Sequence, residues 1–221
     1  MTVTLILMAV IMAIVVWWLW RQSVNVSPWI AQQHPIETHS EGSLSLPAVK
    51  VGLGVFLAVA TSLFALFISA YLMRKTGPDW TALAVPKVLW LNTGMLILGS
   101  VAMQWTRGAA QRGQTDDVKT GLLAAGVFSF AFLVGQLFAW QQLDAAGYFL
   151  ANNPANAFFY LLTAVHGVHL LGGLWVWGKT TAKMARGAKV GAIRLSVELC
   201  TVYWHYLLLV WLVLFALLLS T

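Results

Sequence analysis

The chain has 221 residues, 60% of them hydrophobic and only 9% charged, a balance far outside that of soluble domains and squarely in the membrane class. Its formal charge of +6 comes from basic residues clustered in short segments beside apolar runs, where membrane orientation and lipid headgroups account for them without a nucleic-acid partner. A single cysteine, Cys200, rules out a disulfide within the chain and, inside an apolar run, reads as a small packing residue.

Crossing about 30 Å of hydrocarbon at 1.5 Å per residue takes roughly 20 mostly apolar residues. In chain order the sequence predicts six spans: residues 3–20, 50–73, 86–106, 120–142, 156–178 and 195–219. The first lacks the basic start and small-residue cleavage site of a secretory signal and ends in Trp17, Trp18, Trp20 and Arg21, an interfacial anchor. It is read as an N-terminal helix segment (1–21). A polar linker with Pro28, Pro35 and Pro47 follows over 22–49, and a five-helix membrane domain over 50–221. The fold class is therefore an all-α polytopic transmembrane bundle of one plus five helices.

Orientation follows from lysine and arginine. With both termini outside, the inside segments hold Arg21, Lys50, Arg107, Arg112, Lys119, Lys179, Lys183, Arg186, Lys189 and Arg194, ten of the thirteen basic residues. Arg74, Lys75 and Lys87 remain outside, and residues 143–155 carry no basic residue, as an outside loop should.

Helix packing is predicted from small residues. The second span carries Gly54, Ala58, Ser62, Ala65 and Ser69 on one face, where a neighbouring backbone can approach closely. Gly167, Gly172 and Gly173 lack that spacing and signal close packing only weakly.

Polar residues at membrane depth carry a functional hypothesis because they are costly there. The fifth span has His166 and His169, and the sixth has His205 near its centre and Glu198 two turns nearer the inside. The two spans are consecutive, so the three imidazoles share a similar depth. Two readings stay open on these residues. One is a bis-histidine haem pairing His205 with His166 or His169, with Gly167 and Gly172 leaving room. The other is structural: neutral imidazoles bonded to carbonyls, to hydroxyls such as Thr163 and Thr201, or to each other, holding helices together. A zinc or copper site lacks further ligands at suitable spacing. Arg194 stands one turn before Glu198, an i, i−4 pair at headgroup level able to contact an anionic lipid. Gln136 and Asn92 each read as an interhelical hydrogen bond. A phosphate-binding glycine loop, an activated nucleophile and paired carboxylates are all missing, which leaves a self-contained hydrolase or transferase little to work with.

Two strings are specific: "FFYLLTAVHGVHLLGG" (158–173) and "VELCTVYWHYLLLVW" (197–211). They resemble subunit III of the haem-copper terminal oxidases, whose Phe-Phe, Thr, His-Gly, His run is followed in the next helix by Glu and Tyr-Trp-His. "FALFISAYLMR" (64–74), "LNTGMLILGS" (91–100) and Gln136 with Trp140 resemble the family's preceding helices in order, so the likeness covers residues 50–219.

The resemblance implies a non-catalytic subunit of a respiratory oxygen reductase in a bacterial plasma membrane. It would pack mainly on subunit I with subunit II in the same complex, and hold structural phospholipid. Haem and copper would belong to the catalytic subunit, with no cofactor or metal in this chain. His166, His169, Arg194, Glu198, Tyr203, Trp204 and His205 then become packing or lipid-contact residues. Two departures stand out: the family's carboxylates fall, by alignment on Tyr71, at Ala60 and, after the Tyr-Trp-His run, at Leu208. A direct proton-linked role therefore does not carry over. Two further readings remain: an accessory protein of a nitric-oxide reductase system, and a small membrane cytochrome b.

Overall fold

The computed structural model describes residues 48–81, 83, 85–150 and 153–220. The predicted N-terminal span over 3–20 and nearly all of the linker lie outside the described residues. The described chain is helical, with five helices long and apolar enough to cross a membrane: α1 (Ala48–Arg74), α2 (Val88–Arg112), α3 (Thr115–Ala145), α4 (Pro154–Ala185) and α5 (Val190–Leu219).

These helices outrun the spans that hydropathy defines, because a helix does not end where the hydrocarbon does. The segment 107–119, read as a loop, is helical except at Gly113 and Gln114. Gly113 adopts a left-handed φ of 73°, and the amide of Gln114 donates to the Ala109 carbonyl at 3.0 Å, the turn that glycine permits at a helix end. Asp116 and Asp117 in the first turn of α3 and Arg112 in the last turn of α2 match the helix dipoles. The segment 179–194 shortens likewise to 186–189 between α4 and α5.

The chain divides into two compact units, one ending at Ser69 and one starting at Ala70. In the first, the described segment is most of α1; two of its hydroxyls bond within the helix, Thr61 donating to Leu57 O at 2.7 Å and Ser62 to Ala58 O at 3.0 Å.

The second unit holds the other helices as a ring of neighbours: α2 beside α3, α3 beside α4, α4 beside α5, and α5 back against α2. Large side chains fill its centre, among them Phe132, Phe159, Leu162, Leu170, Leu207 and Trp211, all fully buried. Leu123, Val134, Phe138, Val168 and Trp175 face outward and exposed, as a lipid-facing surface requires.

Side chains tie one end of the second unit. Asn153 caps α4 by accepting from Ala155 N at 3.1 Å, with Pro154 at the first helical position. The same side chain donates to the Thr81 carbonyl at 2.6 Å, and Trp80 sits edge-on to Tyr71 at 5.0 Å. Arg74 grips Asp79 with both guanidinium nitrogens, which holds the Asp79 carboxyl below the usual carboxylate range.

Candidate functional site

The polar residues singled out in the sequence fall into two places. His166 is fully buried at the centre of the ring of helices. Its imidazole is 5.8 Å from Phe132 of α3 and 5.2 Å from Trp211 of α5. Trp211 in turn donates its indole N–H to Thr93 Oγ1 of α2 at 2.9 Å, so one layer of aromatic contacts joins all four helices.

One turn on, the Nδ1 of His169 bonds the carbonyl of Val165 within its own helix at 2.8 Å. The His169 carbonyl accepts the Tyr203 hydroxyl of α5 at 2.8 Å. Gly173 makes that approach possible: a Cβ there would stand 2.6 Å from the Tyr203 ring and 3.2 Å from the Trp204 ring. Of the four glycines on this helix, Gly173 is the one the packing demands, while a Cβ at Gly172 or Gly178 would meet nothing within 4 Å.

His205 turns away from α4. Its Nδ1 bonds Ser100 and its Nε2 contacts Gln104 Oε1 at 3.1 Å, both partners lying on α2. Glu198 also looks toward α3's other neighbour, with Oε1 3.6 Å from Arg107 on α2 and both side chains about one-third exposed (34% and 31%). This charge pair therefore bridges two helices, where sequence spacing had offered Arg194 of the same helix. Arg194 is exposed near the start of α5. A pair so placed contributes under about 1 kcal/mol by itself.

Bringing His205 together with a histidine of α4 on one haem would need its ring to face that helix. Both of its ring nitrogens instead face α2, so the bis-histidine reading loses its second ligand. Thr163 and Thr201, weighed as partners for the imidazoles, bond elsewhere: Thr163 accepts from Trp140 at 3.1 Å, and Thr201 donates to Met103 O at 3.1 Å and Val197 O at 2.8 Å. Among the described residues no three of His, Cys, Asp and Glu gather as a metal-binding group.

The family described as Cytochrome c oxidase subunit III matches residues 1–220. The chain belongs to that family. Similar proteins include cytochrome c oxidase subunit 3 of Corynebacterium diphtheriae, 28% identical over 175 residues, covering 76% of this chain and 85% of the relative. That of Synechocystis sp. is 27% identical over 177 residues, covering 75% and 72%. A probable cytochrome c oxidase subunit 3 of Mycobacterium bovis is 27% identical over 184 residues, covering 78% and 88%.

In this subunit III chain the sequence's readings of Asn92 and Gln136 meet in one contact. Asn92 Nδ2 donates to Gln136 Oε1 at 3.4 Å, both residues buried, and Gly135 leaves the space that the Asn92 side chain fills, since a Cβ there would lie 2.1 Å from its Oδ1. We predict that Asn92→Ala costs about 1–2 kcal/mol by orphaning the Gln136 amide. Adding Gln136→Leu should recover part of that loss. A double-mutant cycle on detergent-solubilised protein checks it, and fully additive losses would count against the pair.

Sequence reasoning named Trp204 as a packing or lipid-contact candidate but missed Trp140, Trp177 and Trp211 as ties between helices. Besides Trp140 and Trp211, Trp204 donates to Ser129 Oγ of α3 at 3.0 Å and Trp177 to the Leu122 carbonyl of α3 at 3.0 Å. Trp177 lies where a Cβ on Gly126 would stand, 2.2 Å from its ring. Opposed glycine and tryptophan were the available signal, but one sequence does not tell which glycine faces which ring.

Proposed function

We propose that this chain acts as the non-catalytic subunit III of a haem-copper respiratory terminal oxidase in a bacterial plasma membrane. It would pack against subunit I, with subunit II in the same complex, and stabilise the centre that reduces oxygen and moves protons. Haem and copper would reside in the catalytic subunit. The observation that carries this reading is the family match over residues 1–220, and the use of His205, His169 and Tyr203 in helix-to-helix or intrahelical hydrogen bonds agrees with it. Phospholipid binding belongs to the same proposal. It is supported by Lys179, Lys183, Arg186, Lys189 and Arg194 gathered at one end of α4 and α5, where each basic residue near an anionic surface contributes about 1 kcal/mol.

Deleting the chain is expected to leave the haem content of the large subunit mostly intact while shortening the oxidase's catalytic lifetime. Unchanged inactivation kinetics in the deletion strain would overturn the stabilising role. A tag on this chain should bring down a haem-containing partner in mild detergent, and a Soret band retained by the chain alone would refute the assignment of haem to the partner.

A further inference from the structure

The contacts of Asn92 with Gln136, Trp204 with Ser129 and Trp211 with Thr93 join helices inside the bundle and are buried. Another set lies on an open face. His205 of α5 bonds Ser100 through Nδ1 and Gln104 Oε1 through Nε2, and both His205 and Gln104 are exposed. Their depth follows from the Arg107–Glu198 pair, whose charges hold it near headgroup level. Ser100 lies seven residues before Arg107 on α2, and His205 seven residues after Glu198 on α5. At 1.5 Å per residue their bond is therefore about 10 Å deeper than that pair, and Gln104, three residues before Arg107, about 4.5 Å deeper. An exposed polar chain thus runs inward from the headgroup boundary, where polar groups need partners other than water.

The same side chains line a cleft of about 490 Å³ between α2 and α5, whose other walls include Ile97, Val101, Trp105 and Leu208. That is the size of a small-molecule site, about 300–1,000 Å³. Both imidazole nitrogens are engaged, so the group offered to a ligand is the Gln104 carboxamide. Hydroxyl, neutral imidazole and carboxamide can each donate and accept. With Nδ1 accepting from Ser100 and Nε2–H donating to Oε1, the Gln104 NH₂ is left to donate to a ligand carbonyl. In the other tautomer Nδ1–H donates to Ser100 Oγ and Nε2 accepts from the Gln104 NH₂, which leaves Oε1 to accept from a ligand hydroxyl. The chain serves either ligand form with no change of charge. A phospholipid ester only accepts, its oxygens stay at headgroup level, and its tails carry no polar atom. A flat ring that exchanges carbonyl for hydroxyl uses both states and suits the Trp105 wall.

We propose that the α2/α5 cleft binds an isoprenoid quinone drawn from the bilayer, oxidised or reduced, with one ring oxygen on Gln104, the ring beside Trp105 and the tail along Val101 and Ile97. Binding needs no redox centre in this chain and does not depend on the oxidase assignment.

The test uses the complex purified in mild detergent through a tag on this chain, with a short-tailed benzoquinone bearing a photoreactive azide. Illumination is expected to label α2 or α5 peptides at the cleft, located by mass spectrometry. Excess decylubiquinone or decylubiquinol should suppress that labelling, and phosphatidylglycerol at the same excess should not. Gln104→Leu is expected to weaken the apparent affinity about fivefold, the loss of one hydrogen bond in a membrane site. Val101→Trp, at a wall position 60% exposed, narrows the cleft and should weaken it about tenfold.

No labelling of this chain, labelling only away from the cleft, equal suppression by phosphatidylglycerol, or unchanged affinity in both variants overturns the proposal. Absence of haem protein from the preparation overturns the oxidase assignment instead and leaves the labelling result to decide the cleft.

Discussion

Trp211→Ala is expected to destabilise the ring of helices by about 3–5 kcal/mol, the range for emptying a fully buried large aromatic site. The effect should reach that range because the indole is shared by four helices. Its ring lies 4.8 Å from Phe132, 5.2 Å from His166 and 6.3 Å from Phe215, and its N–H reaches Thr93 on α2. Truncation opens a void that no single helix can close without leaving another. Trp211→Phe keeps most of the aromatic surface and gives up the hydrogen bond, so its loss should be near 1 kcal/mol. Cys200 supplies the measurement. As the sole thiol and a buried one, it reacts with a thiol-specific fluorophore only as the ring opens. Equal unmasking temperatures for the alanine variant and the unaltered chain would refute this account of the core.

Gly173→Val carries the second largest expected effect. The added Cβ alone would fall 2.6 and 2.9 Å from two carbons of the Tyr203 ring, and the branched methyl groups have no room on the α5 side. Overpacking of this kind costs about 1–3 kcal/mol. Because Tyr203 cannot retreat and still reach the His169 carbonyl, a hydrogen bond near 1 kcal/mol goes as well. Gly172→Val, one residue away with nothing within 4 Å of its Cβ position, is the control. The two variants should differ clearly in the same thiol assay, and similar behaviour would mean that α4 and α5 are not held as closely as described.

How much of this was legible in the sequence depends on what kind of signal each feature leaves. The five spans over 50–219 were readable because a bilayer imposes length and apolarity on the chain directly. The helix ends were not: Arg107 and Arg112 looked like loop charges, whereas charged residues near headgroup level can continue a helix whose terminal dipole they complement. The histidine motifs pointed to the family, and the choice between ligand and structural roles needed to know which way each ring faces. His205 illustrates the gap, since a depth shared with His166 and His169 left a common site with α4 open, while its nitrogens lie against Ser100 and Gln104 of α2. Pairings across helices, such as Glu198 with Arg107 or Asn92 with Gln136, are a property of the assembled bundle, and a single chain of letters does not encode them locally.

The two-residue turn at Gly113 and Gln114 has a temporal consequence. It makes α2 and α3 a hairpin whose mutual contacts are among the nearest in sequence, so these two can pair as soon as both have left the ribosome. The bond from Ser100 to His205 joins positions 105 residues apart. That side of the bundle cannot close until α5 joins it, so a chain cut short before α5 leaves Ser100 without this partner.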